Sequence, residues 1–454
     1  MFVRPLLLSG AAGLIALLVV TVSCHHRPPS GSYEGIPPGF DFPANDGALD
    51  KLIEGRKYHL LRRHAWLVFA GMTQPAEQQD PLFPARQPSR WETWYLRQDT
   101  FAAAPPSARV PFLLGLQPPG ELAGQDRQAT GASNTFLENN NVLFNQEAFD
   151  RIRSGRQPLY LRSTLDALCG SSNHDKVCRT GVQDIDAFPR PAIAVKAFFL
   201  AAPQGVCTPI GSWDFQRPIA GDVDDQQPTW PRQVFVENGS GSCDDQKKQG
   251  YSVVPLKDVY SIPVPSASEK SRNGLLAITR LQDIDRAFPG AKEGDQLVLL
   301  GMHVATREIA NWVWATFWWH DRPEEGPFSE DRPPEVEGVW RHYLMNASYD
   351  MDVPRETDGT PHIAYNPYLE GFIKDGVLSN CMTCHRRATW PPQDRPHVIV
   401  SDGSAYDPLL GQTIVRGSDA AEATYLSVPF EKLLKTSFIW SIPVCAVQPL
   451  GTCQ

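Results

Sequence analysis

The sequence predicts an α+β fold: an N-terminal helical segment, a β-rich central body and a loop-rich C-terminal region. Three observations predict it. First, 41 prolines and 34 glycines in 454 residues divide the chain into short elements and exclude a long-helix bundle. Second, apolar residues recur at helical spacing after Ala48, at Leu49, Leu52, Ile53, Leu60, Leu61, Trp66, Leu67 and Phe69. Third, strand-like apolar runs cluster between residues 192 and 319.

Residues 1–23 read as an export signal. Arg4 is followed by an apolar run from Leu6 to Val22, short for a membrane span and placed at the start. The run ends Val20-Thr21-Val22-Ser23-Cys24, which resembles a bacterial lipoprotein signal cut before a cysteine that then carries lipid. Thr21 stands where such signals prefer leucine. An uncleaved signal anchor, or a cut elsewhere that leaves Cys24 unmodified, are the other readings. The chain is therefore expected in the bacterial periplasm, tethered to a membrane by a lipid or a signal anchor. Residues 24–46 are rich in Pro and Gly, lack an apolar period and read as a flexible tether.

Residues 47–340 form the expected body. Asp46 is placed to cap a helix from Ala48, which Gly71 and Pro75 end; His59 and His64 within it read as surface or core histidines. Trp91-Glu-Thr-Trp94-Tyr95 offers aromatics to seat that segment on the core. Residues 99–134 read as loop, and Asn145–Ile152 as a short helix. Strands are expected at 192–200, 233–237, 251–254, 296–304 and 312–319, with 305–311 as a hairpin loop. Period-two geometry places Trp312, Trp314, Thr316 and Trp318 on one face of the last strand, and Val313, Ala315, Phe317 and Trp319 on the other. Both faces are apolar, so that strand should be covered on both sides. Met302 and His303 point to opposite faces of the preceding strand. A short echo, Gln183-Asp-Ile-Asp-Ala-Phe-Pro189 against Gln282-Asp-Ile-Asp-Arg-Ala-Phe-Pro289, is too brief for a repeat fold.

Residues 341–454 hold the chemistry-bearing motif. Asn366 with Pro367 suggests a helix start, and Phe430–Thr436 a further helix. Cys381-Met382-Thr383-Cys384-His385 has the spacing of covalent haem attachment. Two thiols three positions apart can each add to one vinyl group of a haem, and the next histidine can bind the iron. A zinc ribbon would need a second C-x-x-C, which the sequence lacks. A dithiol redox pair would not need the histidine. The expected cofactor is one covalent haem c on Cys381 and Cys384, with His385 as the proximal iron ligand. Arg386, Arg387 and Trp390 follow at once and suit haem propionates or ring packing, a solvated basic turn being the other reading for the arginines.

Nine cysteines less Cys24, Cys381 and Cys384 leave Cys169, Cys178, Cys207, Cys243, Cys445 and Cys453. An even remainder in an exported chain suggests disulfides, and short loop closure favours Cys169–Cys178, Cys207–Cys243 and Cys445–Cys453. A net charge of -9 argues against a nucleic-acid partner.

Asn366-Pro-Tyr-Leu-Glu with Ser379-Asn-Cys-Met-Thr-Cys-His-Arg-Arg-Ala388, and Gly301-Met-His-Val with Trp312-Val-Trp-Ala-Thr-Phe317, together resemble exported bacterial monohaem cytochrome c family proteins. Trp91-Glu-Thr-Trp94 and Lys435-Thr-Ser-Phe-Ile-Trp-Ser441 extend the likeness over roughly residues 60–441. The resemblance implies haem binding and electron transfer, and it supplies no substrate. That group commonly carries Glu-His after Ala-Thr-Phe, where this chain has Trp318-Trp319.

No methionine follows Met382, so a distal ligand must come from upstream, from His397, or be absent. The upstream candidates are Met302, His303, His320, His342, Met345, Met351 and His362. His303 ranks first, on a rigid strand within a motif the resemblance covers, with Met302 and Met345 next. The expected activity is electron transfer to or from a redox partner protein. A haem-dependent oxidoreductase or peroxidase with an open distal side, and a noncatalytic haem sensor, are the alternatives. The sequence shows no Ser/His/Asp set or phosphate loop that would nominate catalytic residues.

Overall fold

The computed structural model describes residues 35–103, 141–170, 177–182, 184–213, 230–266, 274–349, 362, 364, 366–369, 381–385, 388–391, 406–407, 412–413 and 432–446. The signal stretch and Cys24 lie outside these residues. The chain is mixed α and β, with strands dominating the central body in largely antiparallel sheets.

The N-terminal helical stretch is two helices, α1 (Ala48–Glu54) and α2 (Tyr58–Thr73). Gly55 and Arg56, the latter at φ 51°, break the single run that the apolar spacing suggested. Asp46 caps nothing; Gly47, at φ 70°, holds the N-cap position without a side-chain bond. Then follow β1 (Tyr95–Leu96), α3 (Arg97–Phe101), β2 (Asn141–Phe144), α4 (Gln146–Arg153) and α5 (Arg162–Cys169). Asn145 caps α4 by accepting from the Ala148 N–H at 3.1 Å, as Asn does where four N–H groups start without partners.

The central sheet adds β3 (Ile193–Ala202), β7 (Ser261–Pro263), β8 (Gln296–Thr306), β9 (Val313–Trp319) and β10 (Tyr343–Tyr349), in the order β1-β2-β3-β8-β9-β10 with β7 also on β8. All its pairs are antiparallel. A smaller sheet pairs β4 (Cys207–Ser212) with β5 (Arg232–Glu237) and β5, in parallel, with β6 (Ser252–Pro255). Because β10 belongs to the central sheet, the body continues past residue 340, where the sequence had placed its boundary. Every residue of β9 is buried, as two apolar faces required.

One face of the sheet carries Val195, Met302, Val304, Val313, Ala315, Phe317, Met345 and Ala347, and α2 packs on it. Phe69 stacks on Phe317 at 4.0 Å between centroids, with the Trp66 ring 5.1 Å from Phe317. Each such side chain contributes roughly 1.5–3 kcal/mol by leaving water. The opposite face carries Ala194, Ala305 and Trp314 and is covered by α4, α5, Phe188 and the C-terminal elements.

Residues 35–46, expected to be tether, pack on the body. Ile36, Phe40 and Phe42 lie against its core, and Gly71 permits this: a Cβ there would sit 2.3 Å from Ile36 Cγ2. The Ala44 N–H donates to Glu308 Oε1 at 2.7 Å, and the same buried carboxylate takes His64 Nε2 at 2.9 Å and the Thr306 hydroxyl at 2.7 Å. His64 is thus a core histidine. A second buried ionic group sets Asp80 and Glu92 against Arg86 and Arg280, with Arg86 Nη2 on Glu92 Oε2 at 2.6 Å and Arg280 Nη1 on Asp80 Oδ2 at 2.9 Å. Its opposite charges balance, which makes its burial tolerable.

The two echoed segments differ in structure: residues 184–189 are non-helical, whereas 282–287 close the helix Leu275–Ala287. Two of the expected disulfides are present, Cys169–Cys178 and Cys207–Cys243. Cys445 is also disulfide-bonded, while its expected partner Cys453 lies outside the described residues.

Candidate functional site

Cys381–His385 forms one helical turn. Residues three and four apart share a helix face, so the turn brings the Cys381, Cys384 and His385 positions to one side. Cys381 is half-buried and outside any disulfide. Met382 is fully buried in the cluster that holds Trp312, Trp314, Trp390, Ile439 and Ile442, which anchors the turn on the sheet.

Two contacts fix the His385 ring. Its Nδ1 lies 2.8 Å from the Phe438 carbonyl oxygen, and the Trp314 ring lies 4.2 Å away, tilted by 37°. A carbonyl oxygen can only accept, so Nδ1 carries the proton and the lone pair is on Nε2. That is the tautomer of a metal-binding imidazole with a backbone partner.

The chain segment that presents the carbonyl is a tight turn. Thr436 is pinned by its N–H and hydroxyl to the Ala388 carbonyl, each at 2.9 Å, and Ile439 N–H closes onto the Thr436 carbonyl at 3.1 Å. Ser437 and Phe438 between them have φ of 51° and 66°. This is a mirror-image turn, which normally takes Asn or Gly at its centre. Trp312, at φ 63°, donates from Nε1 to the Ser437 hydroxyl at 3.2 Å. Left-handed backbone costs a non-glycine residue about 1–3 kcal/mol. Of the six such residues among those described, three belong to the turn that meets His385 or to the tryptophan bonded to it.

His303 lies on the same sheet face as His385. It is opposite Thr316 on β9, so Trp314 is its diagonal neighbour, about 7–8 Å away by sheet geometry. One row of the face reads Lys196, His303, Thr316 and Asn346 across β3, β8, β9 and β10, and all but Thr316 are half-buried. This row lies one step along the face from the row of Ala194, Ala305, Trp314 and Ser348, whose Trp314 packs on His385. Asn366, expected to cap a helix, instead heads a turn and donates to Thr316 Oγ1 at 2.9 Å and to the Phe317 carbonyl at 2.8 Å. Gly301 makes room for it, since a Cβ there would meet Asn366 Oδ1 at 3.0 Å.

The other distal candidates fare differently. Met302 and Met345 are fully buried on the opposite face, under α2, and the sheet separates them from His385. His342 precedes β10 at the end remote from Trp314. His362 Nε2 is bonded to the Ala347 carbonyl at 2.9 Å. Met351 and His397 lie outside the described residues.

His320 belongs to a constellation that the sequence did not reveal. Its Nε2 is 3.2 Å from Ser212 Oγ, and Asp321 Oδ1 is 3.5 Å from Nδ1. Hydrolytic catalysis would need the proton on Nδ1 and the lone pair facing the hydroxyl. Here Nδ1 accepts from the Arg322 N–H at 2.9 Å and Nε2 donates to the Trp213 carbonyl at 2.9 Å, the reverse arrangement. Ser212 and His320 are 0% and 1% exposed, so the group ties β4 to the end of β9.

Trp390 sits in β11 (Thr389–Trp390), paired with Leu434–Lys435, where the sequence suggested a helix. Its indole N–H donates to Asp166 at 3.1 Å and its carbonyl oxygen is 3.4 Å from the Cys178 sulfur. It joins the motif region to α5 and the first disulfide. Arg386 and Arg387 lie outside the described residues.

Searches of protein-family models, curated proteins and solved structures return no match to this chain. The functional reading therefore rests on the motif and on its surroundings. The residues that sequence reasoning missed as parts of the site are Trp314, Ser437 and Phe438. Residues 312–319 read as a buried strand and 435–441 as a motif of resemblance, and nothing in their spacing links either to His385.

Proposed function

We propose that this chain is an exported c-type monohaem protein whose activity is electron transfer with a redox partner protein. Cys381 and Cys384 hold one haem c by thioethers, and His385 binds its iron from the proximal side. The observation that carries the reading is the His385 tautomer: Nδ1 donates to the Phe438 carbonyl, so Nε2 bears the lone pair that an iron ligand needs. Bound there, the haem supplies a one-electron couple. The residues of the chain orient that ligand, bury the motif through Met382 and Trp390, and offer His303 on the same face as a distal ligand. The Cys169–Cys178 and Cys207–Cys243 disulfides accord with export, as does the signal-like N-terminus with Cys24. Among the described residues no helix is long and apolar enough to cross a membrane. What supports membrane attachment is the signal-like N-terminal sequence ending at Cys24.

The test is the absorption spectrum of the purified protein, made in a host that attaches haem c. A Soret band that resists acid–acetone extraction is expected, and it should be lost in Cys381→Ala/Cys384→Ala. A colourless wild-type protein would leave a dithiol site in its place.

A further inference from the structure

The left-handed turn beside His385 is an unusual use of backbone. Ser437 and Phe438 both hold conformations that their side chains disfavour, and Trp312 holds another, bonded to Ser437 by its indole N–H. Ser437 and Phe438 form the turn that presents the carbonyl accepting the His385 Nδ1–H hydrogen bond, and Trp312 reaches that turn through Ser437. Trp314, two residues after Trp312, covers the ring face of His385. The strain is thus gathered where a ligand atom must be aimed, and the surrounding anchors at Ala388 and Thr436 hold it in place.

We propose that the Trp312–Ser437 hydrogen bond is a positioning device that keeps the Phe438 carbonyl on His385 Nδ1 and so sets the reduction potential of the haem. The inference rests on the proposed haem attachment. Its chemical basis is direct. A strong acceptor on Nδ1–H raises electron density at Nε2, and a more basic imidazole favours the oxidised iron. Loss of the indole–hydroxyl bond lets the turn relax toward ordinary backbone, weakens the Phe438 bond and favours the reduced state. No residue on this path touches the reacting atoms, so Trp312 and Ser437 act through His385.

The experiment is a double-variant cycle on the full-length haem-loaded protein, read by redox titration. Trp312→Phe removes the donor and Ser437→Ala the acceptor. Each is expected to favour the reduced form by about tenfold, a rise of about 59 mV for one electron. The double variant should show the same rise rather than twice it, because both changes break one bond. Ser437→Asn tolerates left-handed backbone and keeps an oxygen acceptor, and it should hold the wild-type potential. Haem-loaded variants whose potential stays at the wild-type value, with only Tm lowered, would overturn the positioning role. Additive shifts in the double variant would overturn it too. A wild-type protein without covalent haem would overturn the parent reading, and the two failures are told apart before any variant is titrated.

Discussion

At the scale of the residue, the deciding facts concern which nitrogen of a histidine carries its proton. His385 donates from Nδ1 to the Phe438 carbonyl, whereas His320 accepts the Arg322 N–H at that same atom. His385 is thereby in the tautomer that the proposed ligand role requires, whereas His320 is held as a structural strut. For His303, position decides: the same face as Trp314, with Met302 and Met345 on the other. His303→Ala is therefore expected to open the distal side, and the reduced variant should bind carbon monoxide where wild type resists it. Equal binding by both proteins would remove His303 from the iron.

At the scale of the element, short pieces are held by cross-links and caps more than by propensity. The Cys169–Cys178 bridge spans 9 residues and closes the end of α5 against Trp390. Chain-entropy reasoning gives it about 2–3 kcal/mol, and the Cys207–Cys243 bridge across 36 residues about 4 kcal/mol. Cys169→Ala/Cys178→Ala should lower the denaturant midpoint. Cys207→Ala/Cys243→Ala should lower it further, as measured by fluorescence of the tryptophan-rich core. The reverse order would show that local strain, and not loop length, governs the two bridges.

At the scale of the whole molecule, the central sheet separates two chemistries. On the side of α2 lies the His64–Glu308 pair; with the cluster on the other face lies the Cys381–His385 turn. Burial holds the His320 imidazole below its ordinary value of 6.5, with Arg232 and Arg322 acting in the same direction against Asp321 and the Trp213 bond. On acidification through about 6.5 the unfolded chain gains a proton that the folded chain refuses. Stability is accordingly expected to fall as pH drops from about 7.5 to 5, and His342, also depressed by burial, adds to the slope. His320→Gln should lower Tm at pH 7.5 yet show a shallower decline toward pH 5. A decline as steep as wild type's would assign the slope to other groups.

Local pattern alone determined the mixed class, the strands β3, β8 and β9 with both faces of β9 buried, and two disulfides, because each depends on residues close in sequence or on period two; it also supplied the C-x-x-C-H spacing on which the proposed function rests. It also put Met302 and His303 on opposite faces, without saying which face met the motif. It overextended the tether, since the burial of Ile36, Phe40 and Ala44 depends on Gly71 and Glu308, far along the chain. It read Phe430–Thr436 as helix, where pairing with Thr389–Trp390 overrides local preference. Only the tertiary structure could bring Ser437 and Phe438 to His385, Trp312 to Ser437, and His303 to the same side. Those contacts join segments from 53 to more than 100 residues apart, and no spacing rule in a single chain encodes them.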